Sequence, residues 1–392
     1  MISVTKLDYF LILFLFVVTL FVSTFFGIVL FILLLLIKNK FSSVFFIYAI
    51  FIVSLISFTQ YSRWSTTNYD MVGYYNTFYR FSQFNFLEAS KFIVAKGDIF
   101  FYFLVWVLSK MFTEDPRMLG FFMPFITSYL ALLTIKNFRK KIGVKKYFTK
   151  VDLFLWCISF FLILSFPNYT NAYRQFLSVS LLIYAISRKA LGQRFITFII
   201  LSALSHWSSI ILIILYFLFE KLQKEDFKIL FLMPVLGIFS TYILMALPLP
   251  EQAKYYLFGN EILGVDKTLI VTGTVIQIIL YRYYLDYKYK FNEAYVISFM
   301  ILAYNFFFIV NSTLLTRHYF FVSYFIVTTI VSFIRNKNKR NLYFLFILII
   351  TIFINLKQYS NGEFIYDFFA KNLYIESALS IFTTPFPYEI IR

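Results

Sequence analysis

The chain has 392 residues, of which 61% are hydrophobic and 14% charged, and its formal net charge is +17. Soluble domains carry roughly 25% charged residues, so this composition excludes an ordinary soluble enzyme. Many apolar runs approach or exceed the roughly 17–25 residues that a helix needs to cross a bilayer. We therefore predict an all-α fold with a single transmembrane domain over residues 1–392. It would be a polytopic membrane helix bundle of about 10–12 membrane helices, including re-entrant or half-length segments.

The positive charge is concentrated in short segments between apolar runs. Residues 136–150 carry seven Lys or Arg and no acid, residues 335–340 carry four, and residues 187–194 carry three. Such segments are typical of the cytoplasmic loops of membrane proteins, which accumulate Lys and Arg. Binding to nucleic acid is the weaker interpretation of this charge, and we expect no nucleic-acid partner.

The first apolar run, residues 7–37, is too long for one upright crossing and too short for two. We predict one tilted helix, bent near Gly27, which brings residues 38–40 to the cytoplasm. Residues 41–59 then return outward, and the polar stretch 60–98 follows as an extracytoplasmic loop.

The apolar runs 99–112 and 118–135 cannot both cross the membrane if the basic segment 136–150 is cytoplasmic. The first run makes roughly 21 Å of helix, which is less than the roughly 30 Å hydrocarbon core of a bilayer. We therefore predict that 99–112 is a re-entrant or interfacial helix, and that the TEDPR sequence after it faces outward.

If the basic segments 187–194 and 335–340 are both cytoplasmic, counting the apolar runs back from 335–340 leaves no place for a single crossing at residues 195–219. We predict that 195–219 enters and leaves on one side as two half-helices with a bend at 205–209, and one continuous crossing is the alternative. The remaining membrane helices are expected at 151–167, 176–187, 229–247, 269–285, 294–311, 319–334 and 342–355. The extracytoplasmic segments are expected at 60–98, 168–175, 248–268, 311–318 and, as a C-terminal tail, 356–392. Polar residues thus gather on the outer face, where we expect the chemistry.

Arg174 lies between two apolar runs, in the outer segment NAYRQ at 171–175. An arginine near a helix end can simply anchor the helix at the lipid headgroups. However, Asn171 and Gln175 flank it, and its planar guanidinium suits bidentate contacts with phosphate oxygens. We favour the phosphate-binding interpretation, and the interfacial anchor is the alternative.

Two further groups of outer residues are candidates for chemistry. Arg63 and Asp70 lie in the first outer loop, either as an incidental ion pair or with the carboxylate as a base. The histidines of the chain are His206 and His318, and ionisable side chains within membrane segments tend to mark function. Histidine accepts a proton near neutral pH, and Arg317 beside His318 again pairs a cation with a potential base. A packing role is the alternative for each histidine.

The sequence contains no glycine-rich phosphate loop, no metal-spaced Cys/His cluster and no HExxH motif. The single cysteine, Cys157, excludes internal disulfides. We therefore expect neither a metal site nor a cofactor.

Three outer patches carry short motifs, DMVGY at 70–74, NAYRQ at 171–175 and ALSHWSSI at 203–210. Together they resemble the bacterial polysaccharide polymerases of the Wzy type, in the version with an EpsG-like pattern. That family has an outer-loop Asp followed four residues later by Tyr, an Asn-x-x-Arg-Gln at the start of a helix, and an Ala-x-x-His-x-Ser. Asn68 stands where the family usually has Gly. The resemblance covers roughly residues 40–220, and the C-terminal half resembles the family only in its hydropathy.

The resemblance implies an O-antigen or related polysaccharide polymerase on the outer face of the bacterial inner membrane. It would transfer a growing glycan from undecaprenyl pyrophosphate to the non-reducing end of a lipid-linked repeat unit. Arg174 would bind the pyrophosphate, and Arg63 and Arg317 would belong to the same cluster. Further contacts to the glycan or pyrophosphate are expected from Tyr74, Asn171, Gln175 and His318. Membrane lipids and a chain-length regulator would be the other partners.

His206 and Asp70 are the two candidates for the base that takes the acceptor proton. His206 is favoured because it sits at the proposed bend and because neighbouring hydroxyls would orient its ring. These hydroxyls belong to Ser205, Ser208 and Ser209. If Asp70 is the base instead, His206 is a packing residue.

Two other classes of protein fit the same residues. A flippase or transporter of lipid-linked oligosaccharide also needs arginines in the membrane, but transporters often show internal repeats with paired broken helices. No convincing repeat relates the two halves of this sequence. An O-antigen ligase, or another lipid-sugar-dependent glycosyltransferase, shares the chemistry and differs only in its acceptor.

Overall fold

The computed structural model describes residues 6–38, 40–58, 70–112, 115–143, 148–149, 151–153, 172–222, 232–239, 242, 275–276, 278–280, 282–283, 293–307, 321–329, 337–360 and 377–383. Their secondary structure is helical apart from one short pair of strands, so the fold is all-α as predicted. The chain divides into two compact units. The first comprises Met1–Phe161, Phe166–Ser209 and Tyr366–Arg392, and the second Leu162–Ser165 and Ile210–Ile365.

The first unit contains most of the helices whose bounds are defined. They are α1 (Lys6–Val17), a π-helical turn (Val18–Val22), α2 (Thr24–Ile37), α3 (Ser43–Phe58), α4 (Asp70–Gln83), α5 (Phe86–Lys96), α6 (Ile99–Met111), α7 (Arg117–Lys141), α8 (Tyr173–Ala190) and α9 (Ile196–Ser205). Strands β1 (Lys40–Phe41) and β2 (Phe148–Thr149) pair with each other. The short helix α13 (Ala378–Thr383) returns to this unit from the C-terminal region.

The second unit contains most of α10 (Ser208–Leu222), together with α11 (Glu293–Phe307) and α12 (Lys337–Ser360). Further helical residues lie at 232–239 and 321–329. Aromatic packing joins α10 to α11, with the rings of Phe219 and Phe299 centred 5.1 Å apart. The helices predicted at 229–247, 294–311, 319–334 and 342–355 each contain described helical residues.

The first apolar run is broken at a different place from the one predicted. The helix ends at Ser23, whose backbone is extended with φ −164° and ψ 135°, and α2 begins at the next residue. Gly27, the expected bend, lies inside α2. A Cβ at Gly27 would stand 1.9 Å from Oγ1 of Thr19, which hydrogen-bonds to the hydroxyl of Tyr48 on α3 at 2.7 Å. Gly27 therefore permits close packing rather than a bend.

One end of the first unit collects the basic segments. Strands β1 and β2 are antiparallel, with Phe41 opposite Phe148, so the chain around residue 40 meets the chain after α7. At the C-terminal end of α7, Asn137 donates a hydrogen bond of 3.1 Å to Ser187 near the end of α8. We call this the basic end. It brings together Lys40, the described residues of 136–150 and Ser187 at the start of the basic segment 187–194, and the charge pattern predicts that these segments lie on one side of a membrane.

A buried ion pair stabilises the basic end. Nη1 of Arg139 lies 3.3 Å from Oδ2 of Asp152, and both side chains are buried. The guanidinium also stacks over Phe148 at 4.6 Å, and the same carboxylate oxygen accepts the backbone N–H of Thr149 at 2.9 Å. Asp152 therefore ties the last turn of α7 to β2.

The opposite end of the first unit lies at the C-terminus of α3. The guanidinium of Arg117, the first residue of α7, stacks over Phe58 at 4.8 Å. Phe382 of α13 packs on Phe58 with ring centres 4.9 Å apart. We call this the site end. Helix α7 joins the two ends, and its 25 residues make it the one helix in the described ranges that is long and apolar enough to cross a membrane.

Helix α6 starts and finishes at the site end. Asp98, directly before α6, contacts Arg174 in the first turn of α8, and α8 reaches the basic end only at Ser187. The chain then leaves α6 for α7, which itself begins at the site end with Arg117. This geometry favours the predicted re-entrant or interfacial segment at 99–112 over a full crossing. Its position in a membrane stays a prediction.

Two other segments refine the predicted topology. Residues 195–219 form two helices, α9 and α10, which are separated at His206, so the predicted break is confirmed. That both halves lie on one side of a membrane stays a prediction. The described part of the predicted loop 60–98 is helical, because α4 and α5 occupy most of it.

We expect the two ends of the first unit to be labelled from opposite sides of the membrane. In a Cys157→Ser background, a cysteine introduced by Lys91→Cys on α5 should react with a membrane-impermeant maleimide in intact cells. A cysteine introduced by Lys140→Cys, at the basic end, should react only after permeabilisation. Because both lysines are exposed, the reactivity of each introduced cysteine reports its side of the membrane and not the burial of its side chain. Labelling of position 140 in intact cells would show that the orientation is the reverse of the predicted one.

Candidate functional site

Arg174 occupies the first turn of α8. A cation in that position faces the positive end of the helix dipole, which is unfavourable without a nearby anion. The anion is Asp98, whose Oδ2 accepts a hydrogen bond of 2.8 Å from Nη1 of Arg174. A residue 76 positions earlier in the chain thus neutralises the arginine that the sequence singles out.

Tyr74 accepts a second hydrogen bond from the guanidinium of Arg174. Nε of Arg174 donates to the Tyr74 hydroxyl at 3.1 Å, and its Cζ lies 5.4 Å from the centre of the Tyr74 ring. Tyr74 belongs to α4 and packs against Phe101 and Tyr173, with ring centres 5.2 and 5.6 Å away. The Arg174 side chain retains 23% of its exposure. The guanidinium is therefore fixed in direction but still reachable.

Asp98 reaches this position through a tight turn. Helix α5 ends with Gly97 in the left-handed conformation, at φ 80°, which glycine adopts without the steric penalty of a side chain. Asp98 then precedes α6 but does not cap it with its side chain. The carboxylate points instead to Arg174 and His206, and its side chain is only 4% exposed.

Asp98 is ionised in this setting. Burial would raise the pKa of its carboxyl group, but the hydrogen bonds and charges of His206 and Arg174 hold that pKa below its usual value. A buried carboxylate is stable only when it is paired and hydrogen-bonded. The Asp98 carboxylate is paired with both Arg174 and His206. Asp98 is therefore better suited to position these two side chains than to act as a base.

His206 occupies the break between α9 and α10. Its backbone is extended, with φ −163° and ψ 126°, and its side chain is buried. Nδ1 lies 3.4 Å from both carboxylate oxygens of Asp98. This contact is longer than an ordinary hydrogen bond of about 2.7–3.2 Å, and catalytic contacts are often long before substrate binds. Asp98 therefore orients the imidazole through Nδ1.

The serines around His206 stabilise the broken backbone rather than the ring. Ser209 donates to the carbonyl groups of His206 and Ser202, at 2.8 and 3.0 Å. Ser205 donates to Leu201 O at 2.7 Å. The expectation that Ser205 and Ser209 orient the imidazole is therefore wrong. Their hydroxyls add a second donor to carbonyl groups around the break, since the carbonyl groups of Ser202 and His206 also accept backbone N–H groups.

Helix α9 is fixed to α8 by a reciprocal pair of serines. Ser178 donates to the carbonyl group of Ser202 at 3.0 Å, and Ser202 donates to the carbonyl group of Ser178 at 2.8 Å. Both side chains are buried. Because Arg174 lies one turn before Ser178 on α8, and His206 one turn after Ser202, these bonds fix the spacing of the two site residues.

A second ion pair near the site has a structural role. Arg117 donates from Nε and Nη2 to the two carboxylate oxygens of Asp115, at 2.9 and 2.7 Å. Arg117 is buried, and a Cβ on Gly120, one turn later, would stand 2.7 Å from the hydroxyl of Tyr75. Its bidentate contact with Asp115 and its burial make Arg117 a support for the start of α7 and for its contact with Phe58 of α3.

The structure brings together one residue from each of the three motif patches, Tyr74, Arg174 and His206. Gln175 follows Arg174 on α8, is half-buried and makes no hydrogen bond to the cluster within the described part of the chain. Asp70 begins α4, one turn before Tyr74, and its side chain lies outside the described residues. Four further candidates also lie outside them: Arg63, Asn171, Arg317 and His318.

Asp98 is the site residue that the sequence interpretation missed. Its one signal is local, a Gly-Asp pair directly before an apolar run. The described residues hold no group of three or more His, Cys, Asp or Glu that could bind a metal ion. The site is thus one carboxylate shared by a guanidinium and an imidazole.

The described helices include one that is long and apolar enough to cross a membrane, and they position an Arg–Asp–His cluster around a buried carboxylate. The sequence matches the EpsG family over residues 45–370, and the chain therefore belongs to the EpsG family. Membership indicates a membrane glycan polymerase or a related glycosyltransferase. No curated protein and no solved structure matches the chain.

We expect Asp98 and Arg174 to be energetically coupled. Asp98→Asn and Arg174→Gln should each lower the thermal unfolding midpoint of the purified protein, because each leaves the other partner without its ion pair. The double variant should lose less stability than the sum of the losses in the two single variants, with a coupling energy on the order of 0.5–3 kcal/mol.

The matched control for this cycle is Arg188, which lies near the other end of α8, is half-buried and stacks on Tyr184. Asp98→Asn and Arg188→Gln should be additive. Additivity in the Asp98–Arg174 pair as well would show that the ion pair contributes no stability.

Proposed function

We propose that this protein is a polysaccharide polymerase of the O-antigen type. It would transfer a growing glycan from undecaprenyl pyrophosphate to the non-reducing end of a lipid-linked repeat unit. The reaction would take place on the outer face of the bacterial inner membrane. The observation that carries the proposal is the convergence of Tyr74, Arg174 and His206 on one buried cluster. These residues come from three motifs that are far apart in the sequence.

Arg174 is suited to hold the diphosphate of the donor. A guanidinium presents several N–H donors in a planar fork, and Asp98 and Tyr74 use donors on Nη1 and Nε. Nη2 makes no hydrogen bond to another residue in the described ranges, and the side chain is partly exposed. An anion can therefore approach a cation whose direction is already fixed, which favours stabilisation of charge on the departing diphosphate.

His206 is suited to accept the proton of the acceptor hydroxyl. In the transfer, the hydroxyl oxygen bonds to the anomeric carbon of the donor, and the bond from that carbon to the diphosphate oxygen breaks. The diphosphate leaves with the electron pair, and His206 takes the hydroxyl proton and later releases it to water. Asp98, 3.4 Å from Nδ1, stabilises the imidazolium that forms.

Asp98 acts through its two neighbours and is a positioning residue. Its carboxylate is buried and contacts both Arg174 and His206. One carboxylate thus sets the relative position of the group that binds the donor diphosphate and the group that activates the acceptor. Misplacement of either group by about 1 Å can cost roughly 10²-fold in rate.

The other residues predicted from the sequence have proposed roles around this cluster. Arg63, Arg317 and His318 are candidates for further contacts with diphosphate, and Asn171, Gln175 and Tyr74 for contacts with the glycan. Asp70 is the alternative base, since it stands one turn from Tyr74 on α4. A chain-length regulator is the protein partner that a polymerase would need to control its product.

A deletion strain tests the class of activity. Loss of the gene should remove long glycan chains and leave a single capped repeat unit, as measured by gel analysis of surface glycan. Complementation with Arg174→Lys should restore little polymer despite normal membrane insertion, because lysine keeps the charge but loses the planar fork. Arg188→Lys on the same helix is the matched control and should restore full chain length.

Two outcomes of this experiment would contradict the proposal. Loss of every capped unit in the deletion strain would indicate a flippase or a ligase instead of a polymerase. Wild-type chain lengths with Arg174→Lys would leave the polymerase intact but reduce Arg174 to an interfacial anchor.

Removal of the base should abolish elongation without abolishing binding. General-base catalysis is typically worth about 10²–10⁴-fold, so His206→Ala and His206→Gln should both elongate lipid-linked repeat units slowly in a purified assay. Glutamine preserves hydrogen bonding to Asp98 but lacks basicity. Near wild-type rates for both variants, together with an inactive Asp70→Asn, would assign the base to Asp70.

A further inference from the structure

Helix α5 exposes apolar side chains immediately before the site. Phe86, Leu87 and Val94 are 68%, 63% and 69% exposed. Ala89 and Ile93 of the same helix face the protein and are buried in the core of the first unit. Burial of a large apolar side chain is worth about 1.5–3 kcal/mol, so three such side chains in water would be costly. The helix therefore needs an apolar environment on its outer side.

The side chains of α5 divide into three faces. Ala89 and Ile93, four positions apart, point toward the protein. Leu87 and Val94, seven positions apart, share a second face. Glu88 and Ala95, seven positions apart, share a third face, which is also exposed, and Lys91 lies between the second and third faces. A helix with one face toward protein, one exposed apolar face and charged side chains beside it fits the boundary between a membrane and water.

The length and caps of α5 fit the same position. It is a complete helix of 11 residues, with a reciprocal capping box between Asn85 and Glu88 and a C-terminal Gly97. Eleven residues make roughly 16 Å of helix, about half of the roughly 30 Å hydrocarbon core. The helix cannot span a membrane, yet it exposes apolar residues, and both features fit a helix that lies along the membrane surface.

The apolar face of α5 continues onto α6. Phe86 packs on Trp106 at 5.6 Å between ring centres, and Trp106 packs on Phe103 at 6.1 Å. Phe103 is itself exposed. Trp106 itself is half-buried, so Phe86 and Phe103 are the exposed part of this aromatic surface. Lys91 and Lys96, both exposed, add positive charge next to this surface, which suits the phosphate groups of lipids.

We propose that α5 lies in the membrane–water interface, with Phe86, Leu87 and Val94 in the acyl–headgroup boundary, and that it sets the depth of the site in the bilayer. The occupant of the exposed face is the phospholipid bilayer. Only Gly97 separates Lys96, the last residue of α5, from Asp98, a span of at most roughly 7 Å. Any displacement of α5 along the membrane normal is therefore passed to Asp98 and to the Arg174 that it holds.

This depth matters for a lipid-linked substrate, a point that rests on the proposed function. The diphosphate of such a donor is attached directly to its lipid chain and lies at the level of the headgroup phosphates. An interfacial α5 would keep Arg174 at that level. The donor could then bind without leaving the bilayer.

Spin labels on the three faces of α5 test the proposal. Single nitroxides are introduced by Leu87→Cys, Val94→Cys, Glu88→Cys and Ala95→Cys in a Cys157→Ser background, with Ala89→Cys as the buried reference. The full-length protein is reconstituted into vesicles of phosphatidylethanolamine and phosphatidylglycerol. Labels at 87 and 94 should collide more with oxygen and less with a water-soluble nickel chelate than labels at 88 and 95.

Two outcomes would overturn the proposal. Labels at 87 and 94 that meet the nickel chelate as often as the label at 88 would place the apolar face in water. Labels at 87 and 94 that are protected from both reagents, like the reference at 89, would show that protein covers the face, for example a second copy of the chain.

An activity measurement tests the link between α5 and the site. Leu87→Asp should raise KM for the lipid-linked donor with little change in kcat, whereas Leu87→Met, which stays apolar, should leave both unchanged. If the labels support an interfacial helix and KM stays constant in Leu87→Asp, α5 does not set the depth of the site. A protein without any polymerase activity would contradict the proposed function and leave the labelling result untouched.

Discussion

The carboxylate of Asp98 is the interaction on which the site depends. Without it, α8 would begin with an arginine at the positive end of its own dipole, and His206 would lose the contact that orients its ring. With it, four segments that are distant in sequence share one electrostatic centre: α4, the α5–α6 turn, the start of α8 and the α9–α10 break. Much of the first unit serves to bring these segments together at the site end.

The polar site is sustained in an apolar chain because its buried donors and acceptors find partners. Tyr74 and Asp98 accept hydrogen bonds from Arg174, and Ser178 of α8 and Ser209 of α10 donate hydrogen bonds to a carbonyl group near the broken helix. Unpaired polar groups cost several kcal/mol each in a lipid environment, roughly as for transfer to hydrocarbon. The break at His206 is therefore possible only where α8 and its own neighbouring serines can compensate it.

Sequence patterns located the side chains that carry distinctive chemistry and missed the residue that organises them. Tyr74, Arg174 and His206 were identifiable because each lies in a short motif. Asp98 lies in none, and an acid next to an apolar run looks like any solvated loop residue until the fold buries it. The break at Ser23 was missed for a related reason. Glycine is the usual signal for a bend, but Gly27 is required by its contact with Thr19, which only the tertiary structure shows.

The strand pair at the basic end has a consequence for biogenesis. Phe41 cannot meet Phe148 until the ribosome has passed the end of α7, so the first three helices are synthesised well before the strand that follows them is paired. During synthesis at about 5–20 residues per second, that interval lasts several seconds. In that time, α1, α2 and α3 must hold together through their own contacts, chiefly the close approach at Gly27 and the Thr19–Tyr48 hydrogen bond.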